Sequence, residues 1–581
     1  MNALFLALLA FFGYIAAYHT YGTWLAKKIF KLDDNNKVPA QVFKDGVDYV
    51  PTKKHILMGH HFTTIAGTGP IVGPAIGVIW GWVPAFLWVV LGPIFAGAVH
   101  DFTSLVMSSR HGGQTIGELT KKLISNRVGI IFLILIQFLL WLVLAVFAMI
   151  IGLLFTMYPE SVLSIWMEIP IAVWIGYMVY KKGKKDTLYS IIGLILLYVF
   201  AIIGIYFPIK IPQIGNISPV VSWIVILLVY SYIASTLSVS TLLQPRDYIN
   251  SHELLVLMGV LMLGIIVGRP TVVAPAFQVA KGSPALWPSL FVIIACGAIS
   301  GFHSLAASGT SVKQLEKEND AKLIGYGSML LEGALSVLVI LAITAGLGMY
   351  GKGAEGYFQY YSEWSTTAGA GLAAQLKAIV EGSANLMKAI GIPVSLGKTL
   401  MAIFIVSFAG TTLDSATRIQ RFALEELVRT KSGKAWGPFK NRYFSTFVVV
   451  LMAFLLAMSS PDGKGALKLW PVFGALNQLL AALALILGTV YLIKKRLNPL
   501  PTLLPAIFMT TTTITATVMN IKNYVSQQNY LLVFIASATL IIAVWMIIES
   551  VITVTKFLKM GQTYKEEFRL GENANEYVHI D

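Results

Sequence analysis

The stretch GHHFTTIAGTGPIVGPAIGVIWG, residues 59–81, says most about the fold of this chain. Pro70 and Pro74 interrupt an otherwise apolar helical segment and remove two backbone N–H groups, which frees two carbonyls. A freed carbonyl within hydrocarbon needs a partner from protein, water or a bound ion. Glycines recur at every fourth position, a stripe that lets another helix approach closely: Gly69, Gly73, Gly77 and Gly81.

Polar side chains next to this interruption favour a binding site over a merely kinked structural helix. Transporters use broken helices at mid-membrane to hold substrates and coupling cations. The candidate substrate- or cation-binding positions in this segment are His60, His61, Thr64, Gly67, Thr68, Gly69 and Pro70.

The composition is that of an integral membrane protein. Of 581 residues, 56% are hydrophobic and 12% are charged, whereas soluble domains carry roughly 25% charged residues. The net charge of +15 does not indicate nucleic-acid binding, because Lys and Arg lie in alternate short loops. Cys296 is the single cysteine, so neither an intrachain disulfide nor a cysteine metal site is expected.

Apolar runs of about 20 residues, the length that crosses a bilayer as a helix, recur along the chain. We predict an all-α protein with about fifteen spans, the first a retained N-terminal helix. They fall near residues 3–22, 60–80, 83–107, 128–156, 168–181, 187–207, 217–240, 252–268, 284–307, 324–349, 395–415, 443–459, 469–492, 500–519 and 529–555.

The loop charges predict an outside N-terminus and an inside C-terminus. We divide the chain into an N-terminal transmembrane region (1–349), an extracytoplasmic loop or amphipathic lid (350–394), a C-terminal transmembrane region (395–555) and a cytoplasmic tail (556–581).

A second segment, GAISGFHSLAASGTSVKQL at 297–315, partly repeats the first. Gly301, His303, Gly309 and Thr310 have the spacing of Gly59, His61, Gly67 and Thr68, and the two motifs would run in opposite directions, as inverted repeats require. The two motifs lie at different ends of their spans, so their equivalence stays open. His303, Gly309 and Thr310 join the substrate-site candidates.

Ionisable residues within membrane spans are costly and indicate function. Glu332, Asp101 and Asp414 are the proton-coupling candidates, although a local pair with Arg418 would also explain Asp414. Asn477 and Gln478 place two amides in an apolar helix, where they either line a cavity or hydrogen-bond between helices.

No enzyme motif is recognisable. GTGPIVG has the wrong spacing for a dinucleotide-binding loop and no strand precedes it. We expect no catalytic residue, cofactor or resident metal.

Several segments resemble the carbon starvation protein A family of bacterial membrane transporters. The matching segments include DYVPTKKHILMGHHF (48–62), IAGTGPIVGP (65–74), LGPIFAGAVHDF (91–102), QPRDYI (244–249), IACGAISGFHSLAASGT (294–310), IGYGSMLLE (324–332), LDSATRIQRF (413–422) and LWPVFGALNQLLA (469–481).

The resemblance implies a secondary transporter in the bacterial inner membrane, with an inverted-repeat core of broken helices. It would import pyruvate or peptides under carbon starvation, by proton symport in the case of pyruvate. Sodium coupling of the same substrates, a nutrient sensor and a channel are the alternatives. The expected partners are a small solute, a coupling cation and the lipid bilayer, and the oligomeric state stays open.

Overall fold

The computed structural model describes residues 1–366, 371–429 and 436–560, with the backbone alone described at 470 and 471. The described chain is all-helical, as predicted, and within these ranges β-type pairing is limited to isolated bridges. Most of the predicted tail, from residue 561 onward, lies outside the described residues.

The first part of the chain, up to the second interrupted segment, contains fifteen α-helices. They are α1 (Ala3–His19), α2 (Tyr21–Trp24), α3 (Pro39–Val42), α4 (Lys54–Ala66), α5 (Gly69–Gly77), α6 (Trp82–Gly92), α7 (Ala98–Ser109), α8 (Ile116–Leu123), α9 (Asn126–Met157), α10 (Val162–Gly176), α11 (Asp186–Tyr206), α12 (Pro219–Thr236), α13 (Leu243–Gly268), α14 (Leu286–Ile293) and α15 (Gly301–Gly309).

The second part contains the remaining described helices. They are α16 (Ser328–Thr344), α17 (Gly353–Tyr361), α18 (Leu372–Lys388), α19 (Val394–Leu427), α20 (Arg442–Ala457), α21 (Trp470–Lys494), α22 (Leu500–Ser526) and α23 (Tyr530–Met560).

Twelve helical segments of the described chain are long and apolar enough to cross a membrane, and the bent pair α4–α5 makes a thirteenth. The other two predicted spans fall on the 16-residue helix α20 and on the interrupted pair α14–α15. The exact number of spans and the orientation of the termini stay predictions.

Side chains are sorted in the way a bilayer requires. Large apolar residues such as Phe12, Ile195 and Val267 lie exposed on the outside, while His60 and Asp101 are completely buried. This exterior matches hydrocarbon, and the charged groups inside face other helices rather than lipid.

The region predicted as a loop or lid contains α17 and α18. Helix α18 is amphipathic, with Leu376 and Ile379 buried and Lys377 exposed. It approaches α13 so closely that a methyl group on Gly264 would lie 2.4 Å from the Leu386 carbonyl oxygen. Residues 367–370 lie outside the described residues, and the position of the region relative to the membrane stays a prediction.

Candidate functional site

The first helix break separates α4 from α5, and the two helices are bent by 44° relative to each other. The chain itself is continuous through this break. Gly67 ends α4 with φ at +43°, a backbone conformation that residues other than glycine rarely adopt. A methyl group at this position would also lie 2.8 Å from the Thr412 hydroxyl on α19. The Gly-Thr-Gly sequence therefore breaks the helix at a position where α19 packs directly against it.

The second break lies between the end of α14 at Ile293 and the start of α15 at Gly301. Gly297 has φ at +87° and packs against Ser336 of α16. The Ser336 hydroxyl donates to the Pro70 carbonyl at 3.0 Å. The carbonyl that Pro74 frees is thus satisfied by protein, and the same serine contacts both breaks.

The glycine stripe packs within the chain. Hypothetical methyl groups on Gly69 and Gly77 would lie 2.3 Å from side-chain atoms of Cys296 and Ile294, and one on Gly73 would lie 2.9 Å from the Ile293 carbonyl oxygen. The absence of side chains on this face lets the two broken segments cross in direct contact.

A buried chain of acids and imidazoles lies beside the second break. We call it the histidine–carboxylate network: His100, Asp101, His303 and Glu332. The Asp101 carboxylate contacts Nδ1 of His100 at 2.8 Å and Nδ1 of His303 at 3.0 Å. Nε2 of His303 lies 3.3 Å from Oε2 of Glu332, whose Oε1 accepts from the Gly297 N–H at 3.0 Å. None of the four side chains is more than 1% exposed.

This network joins groups that can exchange protons and whose side chains are shielded from bulk water. Imidazole is the side chain whose ordinary protonation range lies nearest neutral pH, and His303 lies between two carboxyl groups. Cys296 adds a thiol, and one donor atom each of Cys296, His303 and Glu332 lie within 4.8 Å of one another. His303 and Glu332 also lie at ion-pair distance from each other within this group.

Two of the residues predicted in the first segment face the second segment and α19. Nδ1 of His61 lies 2.8 Å from the Ser311 hydroxyl, just beyond α15. The Thr64 hydroxyl lies 3.1 Å from that of Ser415. Thr68, Gly69 and Pro70 lie at the break itself. At these contacts the first segment meets α19 and the residues that follow α15.

Gly309 and Thr310 lie at the far end of α15. Gly309 packs against Ile419, and the Thr310 hydroxyl donates to a carbonyl within its own helix. The first motif precedes its break, whereas the second motif follows its break. The two motifs therefore occupy different positions relative to their breaks.

The amides of α21 hold the second broken segment. Oδ1 of Asn477 accepts from the Phe302 N–H at 3.0 Å, and its Nδ2 donates to the Ser300 hydroxyl at 3.0 Å. Nε2 of Gln478 donates to the Phe291 carbonyl at 2.7 Å. Asn477 thereby caps the first turn of α15, the helix that carries His303.

A second buried cluster lies on the other side of α4. We call it the arginine network: His60, Glu168, Tyr230, Arg246, Asp247 and Asp414. Arg246 donates through Nε to Glu168 at 3.1 Å and through Nη1 to Asp414 at 2.6 Å. Tyr230 donates to the same Asp414 oxygen at 2.8 Å, and Nδ1 of His60 is in short contact with Asp247. Three carboxyl groups thus surround one guanidinium and one imidazole.

One helix boundary explains why sequence reasoning missed Arg246 and Asp247 of this cluster. The predicted span began at residue 252, which left Arg246 and Asp247 in a loop, but α13 begins at Leu243 and buries both. The local pair considered for Asp414 does not form, since Asp414 binds Arg246 and Arg418 binds Asp48. A polar group on every third or fourth position of α13 was the signal that could have revealed the buried face.

The segment before α4 is tied to α19 by ion pairs. Asp48 accepts from Arg418 at 2.5 Å and from Arg421 at 3.2 Å, both on α19. Burial alone would raise the pKa of Asp48, but the charges of Arg421 and Arg418 hold that pKa well below its usual value. Nearby, burial lowers the pKa of Lys313 to about 8, although the Asp48 carboxylate acts in the opposite direction.

An all-helical bundle with two broken segments meeting beside buried acid–imidazole clusters has the architecture of a membrane transport protein. Its fold is similar to that of the Eremococcus coleocola manganese transporter, with a TM-score of 0.52, 14% sequence identity and coverage of 88% of this chain and 99% of that one. At this identity the likeness concerns the fold alone.

The chain belongs to the carbon starvation protein CstA family, whose sequence profile matches residues 2–353 and 354–516, so the resemblance seen in the sequence is confirmed. It is 32% identical to the peptide transporter CstA of Campylobacter jejuni, over 90% of this chain and 81% of that protein. It is 33% identical to the pyruvate/proton symporter BtsT of Escherichia coli, over 85% and 78% respectively. This is a multi-pass inner-membrane protein whose curated relatives are transporters.

Proposed function

We propose that this protein imports a small carbon source, pyruvate or a short peptide, across the cytoplasmic membrane by proton symport under carbon starvation. The observation that carries the proposal is the position of His303, which lies between Asp101 and Glu332 beside the second helix break. The relatives described above, a peptide transporter and a pyruvate/proton symporter, support the two substrate classes.

In the proposed cycle, Glu332 takes up the coupling proton and His303 relays it toward Asp101. Protonation of Glu332 weakens its attraction to His303 and to the Gly297 N–H, so the second break is released when a proton is bound. The substrate binds near His61 and the Gly67–Pro70 backbone, where the first break meets α19. No bond is made or broken in the solute, so the protein acts as a carrier and not as an enzyme.

The arginine network offers a second set of charges beside the first break. Asp414, one of the predicted proton-coupling residues, would act there together with Arg246, which holds it at 2.6 Å. A substrate carboxylate could compete with Asp414 and Glu168 for this guanidinium, since Arg binds carboxylates with two parallel donors.

The test is uptake of labelled pyruvate and of a labelled dipeptide into proteoliposomes, with and without an inside-alkaline pH gradient. Accumulation above the outside concentration that requires the gradient would establish proton symport and select the substrate class. Accumulation that requires a sodium gradient instead would show that the coupling ion is sodium and not the proton. Flux that never exceeds equilibrium under either gradient would reject a coupled carrier.

A further inference from the structure

A pocket with one acidic group lies on the outer face of the bundle, between α11, α13 and α19. It has a volume of about 260 Å³ and walls that are almost entirely apolar, formed by residues that include Ile202, Val256, Leu396 and Leu400. Ile202 and Val256 are 49% and 42% exposed, so the rim belongs to the apolar exterior that contacts lipid. A molecule dissolved in the bilayer can therefore reach this pocket without crossing water.

Glu253 of α13 lines this pocket and takes no part in the two networks described above. The residue is 2% exposed, and its Oε2 atom has no hydrogen-bond partner among the residues that the structure describes. Its carboxyl group faces the Ser407 hydroxyl of α19.

Glu168 and Arg246 of the arginine network are the charged groups that act on Glu253. The described hydrogen bonds of the Arg246 guanidinium go to Glu168, Tyr230 and Asp414. The phenol of Tyr198 on α11 lines the same pocket as Glu253. An ionised carboxylate without a paired cation is very costly in apolar surroundings, so burial with an unpartnered oxygen disfavours the ionised form of Glu253.

The other buried acids of the described core differ from Glu253 in access. Asp101 and Glu332 lie in the histidine–carboxylate network, and Glu168, Asp247 and Asp414 lie in the arginine network. Glu318 accepts from Arg110, and Glu426 accepts from Thr115. None of them lines the pocket between α11, α13 and α19. Among the buried acids of the described residues, Glu253 is the one that lines this pocket and is reached from lipid.

We propose that this pocket is a binding and modification site for lipid-soluble dialkylcarbodiimides, with Glu253 as the modified residue. Such reagents are apolar, fit a pocket of this size and react with carboxylic acids in the neutral form. The inference does not depend on the proposed transport function.

The reaction is balanced without a further reagent. The carboxyl proton moves to one nitrogen of the carbodiimide while the carboxylate oxygen bonds to its central carbon, which gives an O-acylisourea. In a pocket that excludes water, the second nitrogen then attacks the acyl carbon and the acyl C–O bond breaks. The product is a stable N-acylurea with the mass of the protein plus one reagent molecule.

The test treats the full-length protein in proteoliposomes with dicyclohexylcarbodiimide and locates adducts by proteolysis and mass spectrometry. We expect one main adduct, on Glu253. Glu253→Gln should lower total labelling by about tenfold, because an amide does not react, whereas Glu355→Gln, the same change at an exposed position of α17, should leave labelling unchanged.

Val256→Trp is a second test variant, in which the Glu253 carboxyl group is kept. Its indole should fill the pocket from the lipid-facing side and suppress labelling of Glu253, and an unchanged unfolding temperature would verify its fold. A charged, water-soluble carbodiimide should label exposed acids and leave Glu253 unmodified. Main adducts on Glu332 or Asp414, or labelling of Glu253 that persists in Val256→Trp, would overturn the proposal.

Discussion

Nε2 of His303 lies 3.3 Å from the Glu332 carboxyl group, although the two residues belong to different helices and are both completely buried. Glu332→Gln keeps the size of the side chain but removes its ability to carry a proton. We expect this variant to lose gradient-driven accumulation, so that internal substrate stays at the equilibrium level, while exchange of substrate across the membrane persists.

The measurement for Glu332→Gln is uptake in proteoliposomes, followed by counterflow with labelled substrate inside. The exposed variant Glu355→Gln is the control for the chemical change and should accumulate substrate like the unmodified protein. Accumulation by Glu332→Gln at the unmodified level would remove this residue from the coupling mechanism.

The bond between Ser336 and Pro70 joins the two breaks, and its loss should be measurable as stability. Ser336→Ala leaves the Pro70 carbonyl buried without this donor, which costs about 1–3 kcal/mol. The matched control is Ser328→Ala on the same helix, because the buried Ser328 hydroxyl has no hydrogen-bond partner within the described part of the chain. Denaturation in mixed micelles of increasing SDS content should show the loss for Ser336→Ala alone, and equal effects of the two variants would contradict the assignment.

Gly301 starts α15 at its closest approach to α21. A methyl group there would lie 2.3 Å from the Asn477 carbonyl oxygen, which belongs to the backbone and cannot rotate away. We expect Gly301→Ala to cost about 1–3 kcal/mol and to lower uptake by displacing His303. Gly259→Ala on α13 meets no atom within 4 Å and should be neutral or stabilising by up to about 1 kcal/mol. Thermal unfolding and uptake of both variants would check this, and a stable, active Gly301→Ala protein would show that α15 can shift freely.

Lys313 should make the stability of the protein vary with pH in the alkaline range. Its pKa is lowered by burial to about 8, below the ordinary value of 10.5. Between these two values the unfolded chain binds a proton that the folded chain has released, so raising the pH favours the folded state. The unfolding temperature of the unmodified protein, relative to Lys313→Met, should therefore rise from pH 8 to pH 10.

The control for this pH dependence is Lys317→Met, since Lys317 is exposed. Its unfolding temperature should follow that of the unmodified protein over the same range. A difference between the unmodified protein and Lys313→Met that does not change with pH would show that Lys313 does not titrate in this window.

The all-helical membrane fold could be predicted from the sequence because hydropathy is a local property. Runs such as residues 128–156 and 529–555 correspond to α9 and α23 within a few residues. The interrupted pair α14–α15 shows the limit, since an apolar run predicts a span but does not show that residues 294–300 leave the helix. That departure depends on contacts with Ser336 and Asn477, which are distant in sequence.

The candidate site could be predicted only where a single residue was conspicuous. Glu332, Asp101 and Asp414 stand out as acids in apolar runs, but their partners depend on tertiary packing. Arg246 looked like a loop charge because a positive residue near a helix end is ordinary in membrane proteins. Its burial follows from the early start of α13, which local hydropathy does not encode.

His60 and His61 are neighbours on α4 but belong to different surroundings, since His60 contacts Asp247 and His61 contacts Ser311. Successive residues on a helix point about 100° apart, so α4 presents His60 to the arginine network and His61 to Ser311, just beyond α15. A rotation that draws His61 away from Ser311 must also turn His60 against Asp247. The contact of His60 with Asp247 and the contact of His61 with Ser311 are therefore coupled through a single helix.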